Sequence, residues 1–132
     1  LKYFIKKNYY IFVVTNQAGI AKGYYTQNNF FDLHKRLNHY LSKFNIYIDD
    51  LKFSPYHPKA KIKKYKKNSS FRKPGNLMIE DLIKNWQINK SKSFMVGDKN
   101  SDFEAARKSK IYFEFDQDNL YKQSIKIIKK LN

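Results

Sequence analysis

Cysteine is absent from this sequence, which removes both a disulfide framework and any thiolate metal site. Long apolar runs are also missing. The run Ile11 to Val14 is far too short to cross a bilayer, and the first residues show no charged-then-apolar signal pattern. Neither a membrane partner nor a secretory route is expected, and a cytoplasmic protein is the default. Arginine is scarce: the basic set of 27 contains only Arg36, Arg72 and Arg107, and the rest is lysine. What is abundant is aromatic. Phe and Tyr contribute 11 each, and apolar residues make up 42% of 132 positions, a globular composition large enough for one domain with a real core.

The formal net charge of +16 invites a polyanion partner. Lysine and asparagine are abundant throughout, however, as a general compositional bias would make them, and lysine on solvated faces needs no partner. The densest cluster, "KAKIKKYKK" from Lys59 to Lys67, reads as a loop and not as a patterned helix. A dedicated nucleic-acid role is therefore not expected, and a small anionic substrate is the safer inference. A monomer is expected.

Along the chain, Leu1 to Lys7 reads as the end of a helix, with Asn8 as its cap. Ile11 to Thr15 reads as a parallel strand covered on both faces. Phe30, Leu33, Leu37, Leu41 and Phe44 recur at helical spacing after Thr26, a candidate N-cap. Leu51 to Ser54 predicts a short strand, followed by an irregular basic loop over 55–71. Met78, Ile79, Leu82, Ile83 and Trp86 predict a second amphipathic helix, and Ser93 to Asp98 a second buried strand. Ser101 and Glu104 suggest a capping box for a helix with Phe103 and Ala106 inward. Ile111 to Phe115 predicts a further strand, with Asp118 capping a last helix that carries Leu120, Ile127, Ile128 and Leu131. This alternation predicts an α/β fold, a Rossmann-like doubly wound and mostly parallel sheet in one domain.

In such sheets ligands bind beyond the carboxyl ends of the strands. Thr15-Asn16, Ser54 and Asp98 all fall where a strand runs out, so they are expected along one edge. The four glycines, Gly19, Gly23, Gly75 and Gly97, flank the same segments. Thr15-Asn16 offers hydrogen bonds to phosphoryl oxygens, Arg72-Lys73 offers positive charge, and Asp98 and Asp102 offer hard oxygen ligands for Mg²⁺. Each has an ordinary alternative in turn or cap duty. Together, in this order, they read as phosphoryl transfer.

The stretches "TNQAGIAKGYY", "SPYHP", "FRKPGNLM" and "MVGDKNSDFEAA" resemble motifs of the haloacid dehalogenase-like phosphatases. They resemble most closely the heptose 1,7-bisphosphate 7-phosphatase branch, which supplies heptose precursors for lipopolysaccharide or surface polysaccharide, with histidinol-phosphate phosphatases as siblings. The resemblance implies that Thr15 holds the transferring phosphoryl group, with Asn16, Gln17 and Ala18 as its substrate-side neighbours. It implies that Arg72 helps to choose the substrate, Lys73 neutralises the phosphoryl group, Asp98 ligates Mg²⁺ and Lys99 lies on the substrate side. Asp102 matches a second, structural acid that holds Lys73 or its loop. A sugar phosphate is the implied substrate.

The departures carry equal weight. The family's nucleophile and acid–base pair, Asp-x-Asp on a first strand, would precede the helix that Leu1 to Lys7 finishes. The reading is thus of a chain incomplete at its N-terminus, lacking that strand and inactive by itself. "IYFEFDQD" contains an Asp-x-Asp, Asp116 and Asp118, but the expected edge position places it away from Thr15 and Asp98. Relatives carry Cys-x-His and Cys-x-Cys around the loop, closing a zinc site. Here Ser54, Tyr56, Ser69 and Phe71 take those places, so no zinc is expected. The loop must then be packed, through Tyr56, Tyr65 and Phe71, or mobile.

Overall fold

The computed structural model describes residues 1–132 and divides into two compact units, 1–69 and 70–132. The first begins with helix α1, Lys2–Lys6, which stops where Asn8 takes a left-handed conformation with φ of 60°. Ile11 and Asp49 then bracket the start of a sheet: the Ile11 N–H donates to the Asp49 carboxylate at 2.7 Å, and the Asp49 N–H returns to the Ile11 carbonyl at 2.8 Å. Strands β1, Phe12–Asn16, and β2, Asp50–Ser54, pair in parallel from Phe12 opposite Asp50 to Asn16 opposite Ser54.

Between these strands lie the short helix α2, Ala18–Ala21, and the long helix α3, Gln27–Ser42. Thr26 caps α3 through a reciprocal pair of bonds, accepting from the Asn29 N–H at 3.1 Å while its own N–H donates to the Asn29 side chain at 2.9 Å. Phe30 and Phe31 close on Phe53 of β2, with ring centroids 5.0 and 5.2 Å apart. Of the rest of the predicted helical stripe Leu41 is half-buried and the others stay in the open: Leu33 is 65% exposed, Leu37 44% and Phe44 48%. The cause is length. Sixteen residues of helix run about 24 Å, whereas a five-residue strand runs about 16 Å, and two such strands cover only the first turns of α3.

The core of this unit is Ile20, Ala21, Phe30, Ala60 and Tyr65, flanked by Tyr25, Leu51, Phe53 and Tyr56. Ala60 and Tyr65 come from the basic loop, so that loop is anchored by packing. Its backbone is tied as well. The Lys61 and Ile62 N–H groups both donate to the Ala21 carbonyl, at 3.0 and 3.1 Å, and the His57 N–H donates to the Tyr65 carbonyl at 3.0 Å. Lys67 sits over the Tyr56 ring at 4.0 Å and Lys64 over Tyr65 at 4.9 Å, so lysine stems cover aromatic faces.

The second unit opens with a tight turn through a cis Lys73–Pro74 peptide and continues into helix α4, Leu77–Trp86. Strand β3, Phe94–Gly97, helix α5, Asn100–Lys108, strand β4, Tyr112–Phe115, and helix α6, Leu120–Leu131, follow. β3 and β4 pair in parallel, from Phe94 opposite Tyr112 to Gly97 opposite Phe115. Met78, Ile79, Leu82, Ala105, Ala106, Ile127 and Ile128 are the buried apolar residues here.

Several local expectations are corrected. Helix α5 is capped by Asp102, which accepts from the Lys99 N–H, and not by Ser101 with Glu104; Glu104 instead pairs with Arg107 at 2.8 Å. Asn119, not Asp118, caps α6, accepting from the Lys122 N–H at 2.9 Å. Phe103 stays 37% exposed, its ring resting on Phe113 with centroids 5.7 Å apart, while Ala105 and Ala106 are the fully buried residues of α5. In α6, Gln123 is buried and takes part in fixing the helix, donating to the Glu114 carboxylate and the Phe115 carbonyl. β1 and β3 are half-buried along their whole length instead of covered on both faces, because two-stranded sheets shield their strands less completely than wide ones.

Candidate active site

At the carboxyl end of β1 the pairing with β2 continues one residue beyond the strand, the Gln17 N–H donating to the Ser54 carbonyl at 2.8 Å. This fixes Gln17 beside Thr15. Its side-chain amide donates to the Thr15 hydroxyl oxygen at 2.9 Å, while its amide oxygen accepts from the Tyr25 phenol. Gly19 makes room for that phenol. A Cβ at position 19 would lie 2.3 Å from the Tyr25 ring, closer than packed atoms come. Ala18 opens α2, and the Ile20 N–H donates back to the Gln17 carbonyl at 3.1 Å. Among the sequence-predicted residues, the first unit thus brings together Thr15 and Gln17, and it adds Tyr25, the last residue of the TNQAGIAKGYY stretch, to which the sequence assigned no role.

Ser54 ends β2 fully buried, and its hydroxyl has no hydrogen-bond partner. A stranded buried hydroxyl costs about 1–3 kcal/mol. His57, three residues on, has its Nδ1 accepting from the Lys59 N–H at 3.0 Å, so that nitrogen serves a local turn.

In the second unit the central group is Asp102, 4% exposed. One carboxylate oxygen accepts from Lys73 Nζ at 2.5 Å; the other accepts from the main-chain N–H groups of Asp98 and Lys99, both at 3.1 Å. Burial alone pushes the Asp102 pKa up, but the Lys73 hydrogen bond and charge, with the two amides, outweigh it and leave the carboxyl below its ordinary range. Lys73 is buried almost as deeply, its side chain 10% exposed. Gly97 is required by this arrangement, because a Cβ there would lie 2.6 Å from the Asp102 carboxylate.

This network joins the Arg72-Lys73 turn to the Gly97–Asp98–Lys99 segment. Lys73, Asp98, Lys99 and Asp102 are therefore brought together, with Asp98 and Lys99 exposed at the rim. Arg72 is half-buried, and desolvation lowers its pKa from the ordinary guanidinium value. Asp116 is closer to this segment than the sequence suggested: its N–H donates to the Gly97 carbonyl at 2.8 Å, because β4 pairs directly with β3. Chemically, the second unit offers a fixed ammonium and an exposed carboxylate at a strand end. The first offers a hydroxyl whose oxygen is already supplied with a donor.

Asp98 suits a hard divalent cation. Asp102 is fully committed to Lys73 and two amides, whereas Asp98 and Asp116 are exposed; Mg²⁺ commonly takes one or two carboxylates with the remainder water and phosphate oxygens, and no group of three or more His, Asp or Glu side chains gathers here to hold a metal by itself.

Comparison with known proteins follows the same lines. Residues 61–114 match the family model of the haloacid dehalogenase-like hydrolases. A curated D-glycero-beta-D-manno-heptose-1,7-bisphosphate 7-phosphatase of Rhodopseudomonas palustris is 38% identical over 99 residues, 75% of this chain and 55% of its own length. The chain spans about half the length of the curated relatives it matches. Among solved structures, a protein of Mesorhizobium loti described as a HAD-like phosphatase superposes with a TM-score of 0.84 over 97% of this chain and 69% of its own, at 21% identity. The D,D-heptose 1,7-bisphosphate phosphatase of B. bronchiseptica, solved with magnesium and phosphate, superposes with a TM-score of 0.71 over 84% of this chain and 58% of its own, at 19% identity. No helix here is long and apolar enough to cross a membrane. The strand-end residues and these matches point the same way, to the haloacid dehalogenase-like hydrolases, and the parallel α/β architecture is the fold of both solved neighbours.

Proposed function

We propose that this chain is part of a cytoplasmic phosphatase acting on a sugar phosphate, most specifically on the 7-phosphate of a D-glycero-D-manno-heptose 1,7-bisphosphate. The observation that supports this reading most is the 38% identity to a relative bearing that activity in its name, in a chain that has Thr15-Asn16-Gln17, Arg72-Lys73 and Asp98 at strand ends and turns. Thr15 donates to a phosphoryl oxygen, and Lys73, oriented by Asp102, offsets phosphoryl charge; Arg72 and Lys99 select the substrate's anionic end. Asp98 would hold Mg²⁺, whose contribution when bound is to neutralise charge on the phosphate. Fixed donors of this kind are worth on the order of 10²–10³ in rate where charge develops in the transition state.

Titration of the chain with heptose 1,7-bisphosphate, heptose 1-phosphate and histidinol phosphate in the presence of Mg²⁺ tests the assignment. The 1,7-bisphosphate is expected to bind most tightly, and Thr15→Val and Lys73→Met each to weaken it at least tenfold. Equal affinity for the three ligands would remove the heptose assignment.

A further inference from the structure

We propose that Tyr25 is a positioning residue that acts through Gln17 to keep the Thr15 hydroxyl proton available to a phosphoryl oxygen. The inference deepens the function proposed above and rests on its assignment of Thr15 as a phosphoryl contact.

The argument is one of donor counting. A glutamine side chain has one end that only donates and one that only accepts, and its two orientations differ by half a turn. In one, the amide nitrogen donates to Thr15 and the hydroxyl keeps its own proton for something else. In the other, the amide oxygen faces Thr15 and takes that proton. The structure has the first orientation: nitrogen toward Thr15 at 2.9 Å and oxygen toward the Tyr25 phenol. A phenol is a better donor than acceptor, so Tyr25 O–H holds the glutamine oxygen on its own side and thereby selects this orientation.

The Thr15 proton is not spent elsewhere. Its nearest acceptor is the Asn16 carbonyl at 3.5 Å, well beyond the 2.7–2.8 Å usual for a hydroxyl donor. An anionic oxygen arriving at Thr15 would thus find a hydroxyl already supplied with a hydrogen bond at its oxygen and free to donate. Chained donors of this kind strengthen one another. Gly19 completes the device, since only a residue without Cβ allows the phenol to approach. Gln17 accordingly serves Thr15 with its side chain and is placed one step back from the substrate.

The measurement is NMR titration of the 132-residue chain with inorganic phosphate and Mg²⁺, reading the Thr15 methyl and the Gln17 side-chain amide, for wild type, Tyr25→Phe, Thr15→Val and the double variant. Tyr25→Phe keeps the ring and removes one neutral hydrogen bond, so a loss of about three- to tenfold in phosphate affinity is expected. The Gln17 amide resonances should move before any phosphate is added, and the thermal midpoint should fall by no more than about 5 °C, the loss of one neutral hydrogen bond. The double variant should bind no more weakly than Thr15→Val alone. Tyr25→Phe binding phosphate like wild type while Thr15→Val does not, or additive losses in the double variant, would overturn the proposal and leave the phosphatase reading intact. Unchanged binding by Thr15→Val would overturn both. Since a merely structural tyrosine would change the thermal midpoint and not the coupling to Thr15, the double variant separates the two roles.

Discussion

Asp102→Asn removes a single negative charge and almost no volume, yet the surroundings of this side chain make the expected penalty large. The carboxylate is 4% exposed and receives three donors, Lys73 Nζ at 2.5 Å and two main-chain N–H groups at 3.1 Å. An asparagine can keep its oxygen on the two amides only by turning its NH₂ toward the Lys73 ammonium, setting donor against donor. Reversing it leaves both amides without an acceptor. Either way the ion pair that ties Lys73 to the Gly97–Asp98–Lys99 segment is broken, and breaking a buried pair typically costs about 3–5 kcal/mol. Unfolding entropy scales at about 2.1 cal/mol/K per residue, so the thermal midpoint of a chain of this length should fall by roughly 11–18 °C. Glu104→Gln is the internal control, because the Glu104–Arg107 pair has a comparable 2.8 Å contact but an exposed arginine; such pairs contribute about 0.2–1 kcal/mol. Calorimetry and urea unfolding at neutral pH measure both variants. The pH dependence supplies a second reading. The Asp102 pKa is lowered in the folded protein, so its contribution is fully present above the ordinary carboxylate range and is lost as pH falls through the lower folded-state value. The gap between wild type and Asp102→Asn should therefore be widest at neutral pH and narrow below about pH 4. A shift within 2 °C, or one equal to that of Glu104→Gln, would refute the reasoning.

Ser54→Ala is expected to stabilise the protein by about 1 kcal/mol in urea unfolding, because it deletes a buried hydroxyl with no partner at the cost of a very small void; a loss of stability would show that the hydroxyl is satisfied in solution. Gly19→Ala should displace the Tyr25 ring, which a Cβ would approach to 2.3 Å, and so reproduce the weaker phosphate binding of Tyr25→Phe with little further effect when the two are combined. Gly97→Ala should be among the most damaging single substitutions in the second unit, since the new methyl would meet the Asp102 carboxylate at 2.6 Å and force apart a buried ion pair; circular dichroism melting should place it at least as low as Asp102→Asn.

The elements legible in the sequence are those set by local signals that agree with each other. Ile11 to Thr15 joins β-formers to a polar end, and the strand is there, paired in parallel. Thr26 precedes a long periodic segment and caps it, with Asn29 completing the reciprocal pair. Local signals misled where two candidates stood within a residue or two of each other. Asp118 and Asn119 can both cap α6, and Ser101 and Asp102 both lie in the first turn of α5. The choice was made by the path of the backbone entering each helix, which depends on the neighbouring strand. The stripe on α3 misled for a different reason. Periodicity tells which face is apolar, and Leu33, Leu37 and Phe44 do share one; what covers that face depends on the extent of the sheet.

The candidate site divides along the same line. Thr15, Arg72-Lys73 and Asp98 announce themselves because their chemistry sits at strand ends and turns, and short spacing puts Asp98 beside Asp102. Tyr25 closes the TNQAGIAKGYY stretch but gives no sign of its role: tyrosine is common in this chain, and its relation to Thr15 exists only because the turn after α2 folds back and Gly19 lets the ring through. Asp116 was misplaced by topology, since placing it required knowing that β4 pairs with β3 and ends in register with Gly97. A motif names the groups that meet a ligand, whereas the groups that orient them are chosen by packing and can be any residue able to reach. The Tyr25→Phe and Thr15→Val pair tests that orienting role without requiring the chain to turn over substrate.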